Sequence, residues 1–479
     1  MAGTPCAVAD GNDIEAITAA LQTARAQASR PSLILVRTHI GYGAPNKQDS
    51  FEAHGSPLGL DEVRLTKQHL GWPAEPLFLI PEAALAHMRE ALTQGERDEA
   101  AWDARMRAYT LDFPDLAAEL QCSLRCELPT GWDVDIPVFP ADAKGMATRA
   151  ASAKVMNAMA QRLPALTGGS ADLDPSTKTA LKGCGDFNPP VTQTDDTQGS
   201  DSGGWSQAGR NLHFGLREHA MGAIANGLAA HGGFIPFGAT FLIFSDYIRP
   251  AIRLAALMKL HVVYVFTHDS LAVGEVGPTH QPLEQLASLR AIPGLTVIRP
   301  ADANETAVAW RVAVESRQRP VLLALTRQEV PTLDRSPYAS AEGLRRGAYV
   351  LNDANNQPPV LILIASGSEV ALILAAAERL QSEGIGARCV SMPSWDLFDV
   401  QPQDYRDEVL PPTVSARLAV ELGVTQGWHR YVGDRGDVLG VERFGASAPA
   451  DILLREYGFT IDNVAARART LLTGMRCVG

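Results

Sequence analysis

The chain has 479 residues, of which 46% are hydrophobic and 20% charged, the balance of an ordinary globular protein with room for two or three domains. Its formal net charge of −12 argues against a general nucleic-acid binder, which needs a basic face. It leaves open a phosphorylated small molecule, for which a few placed Arg and His suffice. No apolar run reaches the length of a membrane span, and residues 1–20 lack the basic-then-apolar order of a signal peptide, so no membrane association is expected and the cytoplasm is the expected compartment. The 6 cysteines are scattered, and the Cys122, Cys126 pair has no second pair beside it. Free thiols in a reducing compartment are expected rather than a zinc site or a disulfide framework.

In chain order, Asp10-Gly11-Asn12-Asp13 offers an N-cap for an amphipathic helix over 14–28. Residues 31–38 form a Leu-, Ile- and Val-containing run that predicts a buried strand. A Gly-rich loop over 41–47 leads to His54-Gly55-Ser56-Pro57-Leu58-Gly59. By itself a loop histidine such as His54 is a surface residue. Residues 76–138 are polar and Ala-rich, with helical periodicity over 81–92 and 99–109, and Pro129, Pro137 and Pro140 punctuate the boundary at their C-terminal end.

Thr148-Arg149 opens a helix, and Thr167-Gly168-Gly169-Ser170-Ala171-Asp172 comes next, with Ser176 shortly after. The composition of 184–209, rich in Gly, Ser, Asp, Pro and Gln, predicts a surface loop or a disordered insertion. Arg217-Glu218 then stands at the entry to a small-residue helix over 223–230. Phe241, Phe244 and Tyr247 have helical spacing and precede an apolar helix over 248–258. The run 261–267 is dense in β-branched and aromatic residues and predicts a buried strand. His268-Asp269-Ser270 stands at its end, succeeded by Gly274 to Gly277 and Pro278-Thr279-His280-Gln281-Pro282. A polar cluster just past a buried strand is where open α/β sheets place their ligands. Residues 320–328 predict another strand with Arg327 at its end. Strands over 360–365, 387–392 and 418–421, with a helix after Ser366-Gly367-Ser368-Glu369, predict a further α/β domain. The Gly367 loop alone is a weak phosphate signal, and a structural role is expected of it.

The stretch Thr267-His268-Asp269-Ser270 with Gly274-Glu275-Val276-Gly277-Pro278-Thr279-His280-Gln281-Pro282 resembles the pyrimidine-binding domain of the transketolase family, whose motif is close to T-H-D-S and G-E-D-G-P-T-H-Q-P. The resemblance extends from about residue 10 to the C-terminus. It implies an α/β fold: two α/β domains with mainly parallel sheets, a pyrimidine-binding domain over 140–335 and a transketolase C-terminal domain over 345–479. The tail of a third, diphosphate-binding domain precedes them over 1–75, with a helical linker over 76–139.

The resemblance also implies the chemistry. A transketolase moves a two-carbon ketol unit from a ketose phosphate to an aldose phosphate in the pentose phosphate pathway, with thiamine diphosphate supplying the carbanion chemistry. Glu218 matches the carboxyl that faces the pyrimidine nitrogen, and Phe244, flanked by Phe241 and Tyr247, matches the stacking aromatic. His54 and His280 match imidazoles near the reacting carbons, and His54 also borders the cofactor. Arg149, Ser176, His268 and Arg327 match the grip on the substrate's phosphate. Without the family, Glu218 would be a helix-capping charge and the three aromatics core packing.

Two departures stand out. Val276 occupies the place of an Asp that, in the family, bonds the acceptor's hydroxyl. The family's G-D-G motif, which holds Mg²⁺ or Ca²⁺ against the diphosphate, is not found, so the metal's ligands are expected in a missing N-terminal segment. The expected protein is therefore a transketolase lacking most of its diphosphate-binding domain, a homodimer or one completed by a partner chain. The alternatives are a truncated or split-enzyme fragment inactive alone, and a transferase like dihydroxyacetone synthase.

Overall fold

The computed structural model describes residues 4–187, 205–353 and 359–476. They form two compact units, Met1–Ala108 and Tyr109–Gly479.

In the first unit, strands Thr4–Val8 and Ser32–Val36 pair in parallel, with Val8 opposite Val36. Helix Ile14–Ala26 connects them. Its start is the predicted one: Asp13 accepts the amide of Ala16 at 2.9 Å, satisfying one of the helix's orphan N–H groups. The second strand forms where the sequence predicts, but it is not buried. Leu33 and Leu35 are 58% and 52% exposed, because β-branched and aliphatic composition sets extended backbone and not what covers it. The loop after it is tied down by side chains. Lys47 Nζ donates to the Leu58 carbonyl at 3.0 Å. The backbone and side-chain amides of Asn46 donate to Glu62 at 2.8 and 2.9 Å, and Glu62 lies on helix Leu60–His69.

The two periodic stretches expected over 81–92 and 99–109 are one helix, Glu82–Asp112, with no buried residue. Gln94, Glu96 and Arg97 between them are good helix formers, and the single Gly95 costs only about 1 kcal/mol. Pro114 then opens helix Pro114–Leu124, at the one position where a missing N–H leaves nothing unsatisfied.

The second unit holds two five-stranded sheets. The strands of the first run in the order Leu166–Ser170, Ile235–Phe241, Val263–Thr267, Val321–Leu325, Thr296–Ile298, all parallel. Parallel strands need crossover helices and are buried on both faces. Met156, Met159 and Trp310 cover one face, and Met221, Ile248 and Ile252 the other. The second sheet has the order Tyr349–Asn352, Ala387–Ser391, Leu361–Ala365, Arg417–Val420, Asp437–Leu439. Its first strand is antiparallel and the rest are parallel. Both edge strands, at 3–4 residues, are too short to stand out in the sequence pattern.

Most of the predicted insertion, 188–204, lies outside the described residues. Its flanks, Asp186–Phe187 and Trp205–Ser206, pair in parallel. No helix among the described residues is long and apolar enough to cross a membrane.

Candidate active site

Four neighbouring strands of the first sheet end at one level. Phe241 and Leu325 both stand opposite Thr267 in the ladder, and Ser170 stands opposite Ala239. The residues just past these ends are therefore brought side by side: Ser176 from the turn after the first, Phe241 and Phe244 from the second, His268 from the third, Arg327 from the fourth. This is the carboxyl end of the sheet, where peptide N–H groups and loop side chains face open space.

Arg149 joins them through a reciprocal clasp. The Thr148 amide donates to Thr326 Oγ1 at 2.9 Å, and the Thr326 amide donates to Thr148 Oγ1 at 2.7 Å. The clasp is fully buried and sets Arg149, at the start of helix Thr148–Ala160, beside Arg327. Arg149 Nη1 donates to the Ser176 carbonyl at 2.6 Å and to its hydroxyl at 3.1 Å. Ser176 Oγ lies 3.5 Å from His268 Nε2. Arg327 Nη1 donates to the Val273 carbonyl at 3.1 Å, and Arg149 Nε is buried without a partner among the described residues.

His268 is the most constrained of the set. It is 4% exposed, and its φ of 61° lies in the left-handed region that a residue with a Cβ rarely occupies. Its Nδ1 and Thr267 Oγ1 share a hydrogen bond of 2.8 Å, and its ring centroid lies 3.7 Å from that of Phe241. Burial first, then the cations Arg149 and Arg327, then His280, hold its pKa down to about 3. Burial and Arg327 likewise lower Arg149. The carboxylate next in sequence, Asp269, does not balance this charge, because its Oδ2 accepts from Arg299 Nε at 2.8 Å. Two guanidinium groups with no carboxylate bonded to them among the described residues, beside a hydroxyl and an imidazole, suit an anion.

The aromatics are together, but not on one helix. Phe241 ends a strand, Phe244 lies in the 3₁₀ turn Leu242–Phe244, and Tyr247 lies on helix Ser245–Leu257. Helical spacing in the sequence therefore coincides with a strand–turn–helix junction. Phe241 and Phe244 stack at 5.8 Å and 14°, and Tyr247 lies 6.0 Å beyond Phe244. His280 packs edge-on against Phe244 at 5.6 Å, with its Nδ1 2.9 Å from Thr279 Oγ1. The loop that carries it is pinned by Gln281, whose Nε2 donates to the carbonyls of Gly274 and Ala446, each at 2.9 Å.

Glu218 is the first residue of helix Glu218–His231, with Arg217 at the N-cap. That helix packs on strand Ile235–Phe241 and on helix Ser245–Leu257. Its carboxylate is half-buried and makes no hydrogen bond or ion pair within the described residues. His54 belongs to the first unit, where it is exposed at the end of the turn Phe51–Ala53. Sequence reasoning missed Thr148 and Thr326 as determinants. Two threonines 178 residues apart carry no local signal of a shared clasp.

Three family models match the chain. That described as "Transketolase, pyrimidine binding domain" matches residues 144–332. "Transketolase-like TK C-terminal domain" matches 347–460. "Transketolase, thiamine diphosphate binding domain" matches 5–129. A transketolase of Geobacillus stearothermophilus is 53% identical over 466 residues, covering 97% of this chain and 67% of that protein. The chain belongs to the transketolase family. The transketolase of Bacillus subtilis is 48% identical over the same share of this chain and 68% of its own. A crystal structure of transketolase from Pichia stipitis in complex with sedoheptulose 7-phosphate superposes with a TM-score of 0.90 at 38% identity, over 99% of this chain and 68% of that one. The chain thus spans about two thirds of the length of these transketolases. One expectation is corrected here: the thiamine diphosphate binding model matches 5–129, so the claim that most of this domain is missing is not borne out. The sequence misled because the absence of one short motif was extended to the whole domain.

The depressed His268 titration has a direct consequence. In the unfolded chain His268 takes up a proton near its ordinary pKa of about 6.5, whereas the folded chain takes it up only near 3. Its contribution to stability is therefore intact above pH 6.5 and is lost as pH falls toward 3. Histidine NMR should show the His268 ring neutral throughout pH 5–8. In His268→Gln the fall in denaturation midpoint between pH 7 and pH 5 should be shallower than in the parent; an unchanged slope would contradict the assignment.

Proposed function

We propose that this chain is a transketolase transferring a two-carbon ketol unit from a ketose phosphate to an aldose phosphate in the pentose phosphate pathway, with thiamine diphosphate as cofactor. The observation that carries this is the cationic pocket of Arg149, Arg327, Ser176 and His268 at the same sheet end as an aromatic platform. The pocket suits a phosphate and the platform a flat heteroaromatic ring.

The residues fit the cofactor. Half-buried Glu218, whose carboxylate has no partner among the described residues, suits a ring nitrogen that needs a proton held against it. The faces of Phe244, Phe241 and Tyr247 suit a pyrimidine. Thiamine diphosphate, when bound, supplies the carbanion chemistry. Glu218 holds the proton at the pyrimidine nitrogen. His280 exchanges protons with substrate oxygens, and the family resemblance implies the same role, and a place beside the cofactor, for His54. Arg149, Arg327 and Ser176 grip the phosphate and so fix which end of the sugar faces the aromatics. Neutral His268 offers it one further N–H, and a dianionic phosphate there would draw a proton onto the ring.

The metal is different. No group of three or more His, Cys, Asp or Glu among the described residues could hold an ion. A divalent ion shared with a diphosphate needs only about one or two carboxylates of the protein, so Mg²⁺ or Ca²⁺ stays part of the proposal and no step runs through it. The expectation that its ligands lie in a missing segment is not borne out, since the thiamine diphosphate binding model matches 5–129. The domain bounds proposed are those the resemblance implies for the rest of the chain, 140–335 pyrimidine-binding and 345–479 C-terminal, after the diphosphate-binding part matched over 5–129. A homodimer in the cytoplasm is the proposed state. The dimer is supported by the exposed apolar side chains Ile224, Tyr247, Leu254 and Leu257 on the two helices beside Glu218, a grouping that marks an association surface.

These assignments can be tested by activity. With thiamine diphosphate and Mg²⁺, xylulose 5-phosphate and ribose 5-phosphate should give sedoheptulose 7-phosphate and glyceraldehyde 3-phosphate, and Glu218→Ala should remove most of this turnover. Arg149→Ala should raise KM for xylulose 5-phosphate about 10-fold or more, since a charge-assisted hydrogen bond is worth about 1.5–3 kcal/mol. Unphosphorylated xylulose should be affected little. Equal losses on both sugars would make Arg149 structural.

A further test concerns Val276, whose side chain is 49% exposed and sits four residues before His280. Valine offers an acceptor hydroxyl no hydrogen bond and does not penalise its absence. Val276→Asp should shift the kcat/KM ratio of glycolaldehyde over propanal upward by about 10-fold, the scale of one charge-assisted hydrogen bond. A ratio that stays put means that position 276 does not touch the acceptor.

A further inference from the structure

The loop Ser366-Gly367-Ser368-Glu369 belongs to the second sheet's domain, yet its hydrogen bonds end beside both halves of the anion site. Arg299 is fully buried. At one end its Nε donates to Asp269 Oδ2 at 2.8 Å, and Asp269 is the residue after His268. At the other end Nη1 and Nη2 both donate to the Glu369 carboxylate, and Nη1 also donates to the Ser366 carbonyl at 3.0 Å. The second path runs through Ser368. Its hydroxyl donates to Glu369 and accepts from Gln328 Nε2 at 3.2 Å, and Gln328 is the residue after Arg327. Glu369 is held in turn by the Leu422 amide at 3.0 Å. The loop backbone lies so close to the guanidinium that a Cβ at Gly367 would stand 2.6 Å from Arg299 Cζ.

We infer that Glu369 is a positioning residue for the phosphate site, fixing through Arg299 and through Ser368 the two segments that present His268 and Arg327. A buried ion pair is weak evidence of stability, since apolar replacements are often as stable; what it adds is direction at each end. Here each end terminates one residue from a phosphate-binding candidate. One of those candidates, His268, has a backbone conformation that persists only when its surroundings impose it. The role of the Ser-Gly-Ser loop is thus to hold the site from behind and not to touch the substrate. The inference rests on the assignment of Arg149, Ser176, His268 and Arg327 to a phosphate group.

Glu369→Gln separates positioning from simple electrostatics by sign. Removing a negative charge near a cationic pocket would by Coulomb's law alone tighten anion binding. Loss of alignment should weaken it. By calorimetry on the full chain without cofactor, ribose 5-phosphate and inorganic phosphate should each bind about 5- to 10-fold more weakly to Glu369→Gln, the loss of roughly one hydrogen bond. The ¹⁵N-histidine signal that vanishes in His268→Gln should shift in Glu369→Gln. Unchanged or tighter binding, or an unmoved His268 signal, overturns the inference. Arg149→Ala is measured alongside. If the parent binds neither anion, or Arg149→Ala binds them as well as the parent, the phosphate assignment itself fails. If Arg149→Ala weakens binding and Glu369→Gln does not, only the positioning role fails. Should Glu369→Gln not fold by circular dichroism, Glu369→Asp, which keeps the charge and withdraws the carboxylate by one methylene, takes its place with the same expected loss.

Discussion

A guanidinium removed entirely from water must be surrounded by acceptors, and Arg299 meets that demand with groups from both domains of the second unit. Asp269 comes from the first sheet, and Ser366 and Glu369 from the second. The Arg299 amide donates to the Pro393 carbonyl at 2.8 Å, and its own carbonyl accepts from the Gly367 amide at 3.0 Å. The charges continue beyond it. Ser366 Oγ donates to Glu421, which takes a forked pair from Arg290 at 2.7 and 2.8 Å and the Trp428 N–H at 2.8 Å. Burial pushes Glu421 up, but Arg290 and Arg299 outweigh it and hold its pKa at about 2. For Glu369 the balance is reversed, and burial raises it despite Arg299. Desolvating so many charges is costly unless each finds partners in good geometry. The relative placement of the two sheets is therefore narrowly defined.

The same pairing shapes the site. Asp269 lies next to His268 and would quench the positive potential if its carboxylate turned toward Arg149. Arg299 engages it instead. The pocket keeps two cations, a hydroxyl and a neutral imidazole, a donor set that suits a dianion. An imidazole already charged would add Coulomb attraction but would repel Arg149 and Arg327 in the empty site. The low pKa of His268 expresses that conflict. The C-terminal domain also pins the His280 loop, through Gln281 to Ala446 and through Ser447 Oγ to the Glu275 carbonyl. Among the described residues it supports the site through these contacts.

Glycine is forced at two of these contacts. At Gly367 a side chain would strike Arg299, and at Gly445 a Cβ would lie 1.7 Å from Gln281 Oε1. Both are glycines by close approach of backbone to a neighbouring side chain. The first lies in a Ser-Gly-Ser loop whose sequence also suits a phosphate cradle, and its neighbours make it a structural contact.

Much of this protein was legible in the sequence. Continuous apolar runs such as 263–267 and 321–325 mark strands buried on both faces, because period and composition are local properties. The residues just past those runs, His268 and Arg327, could be singled out as site candidates because parallel sheets expose their carboxyl ends. The motif around His280 carried the family, and the roles of Glu218, Phe244 and the phosphate candidates are proposals that follow from it. Other features were decided only by tertiary structure. Phe241, Phe244 and Tyr247 have helical spacing but span a strand, a turn and a helix. The strand Ser32–Val36 is apolar but exposed. The Thr148–Thr326 clasp and the Arg299–Glu369 pair join residues 178 and 70 positions apart. Periodicity reports only which side chains share a face of one element. Which elements meet, and which buried charge answers which, depends on desolvation and packing between segments that are far apart along the chain.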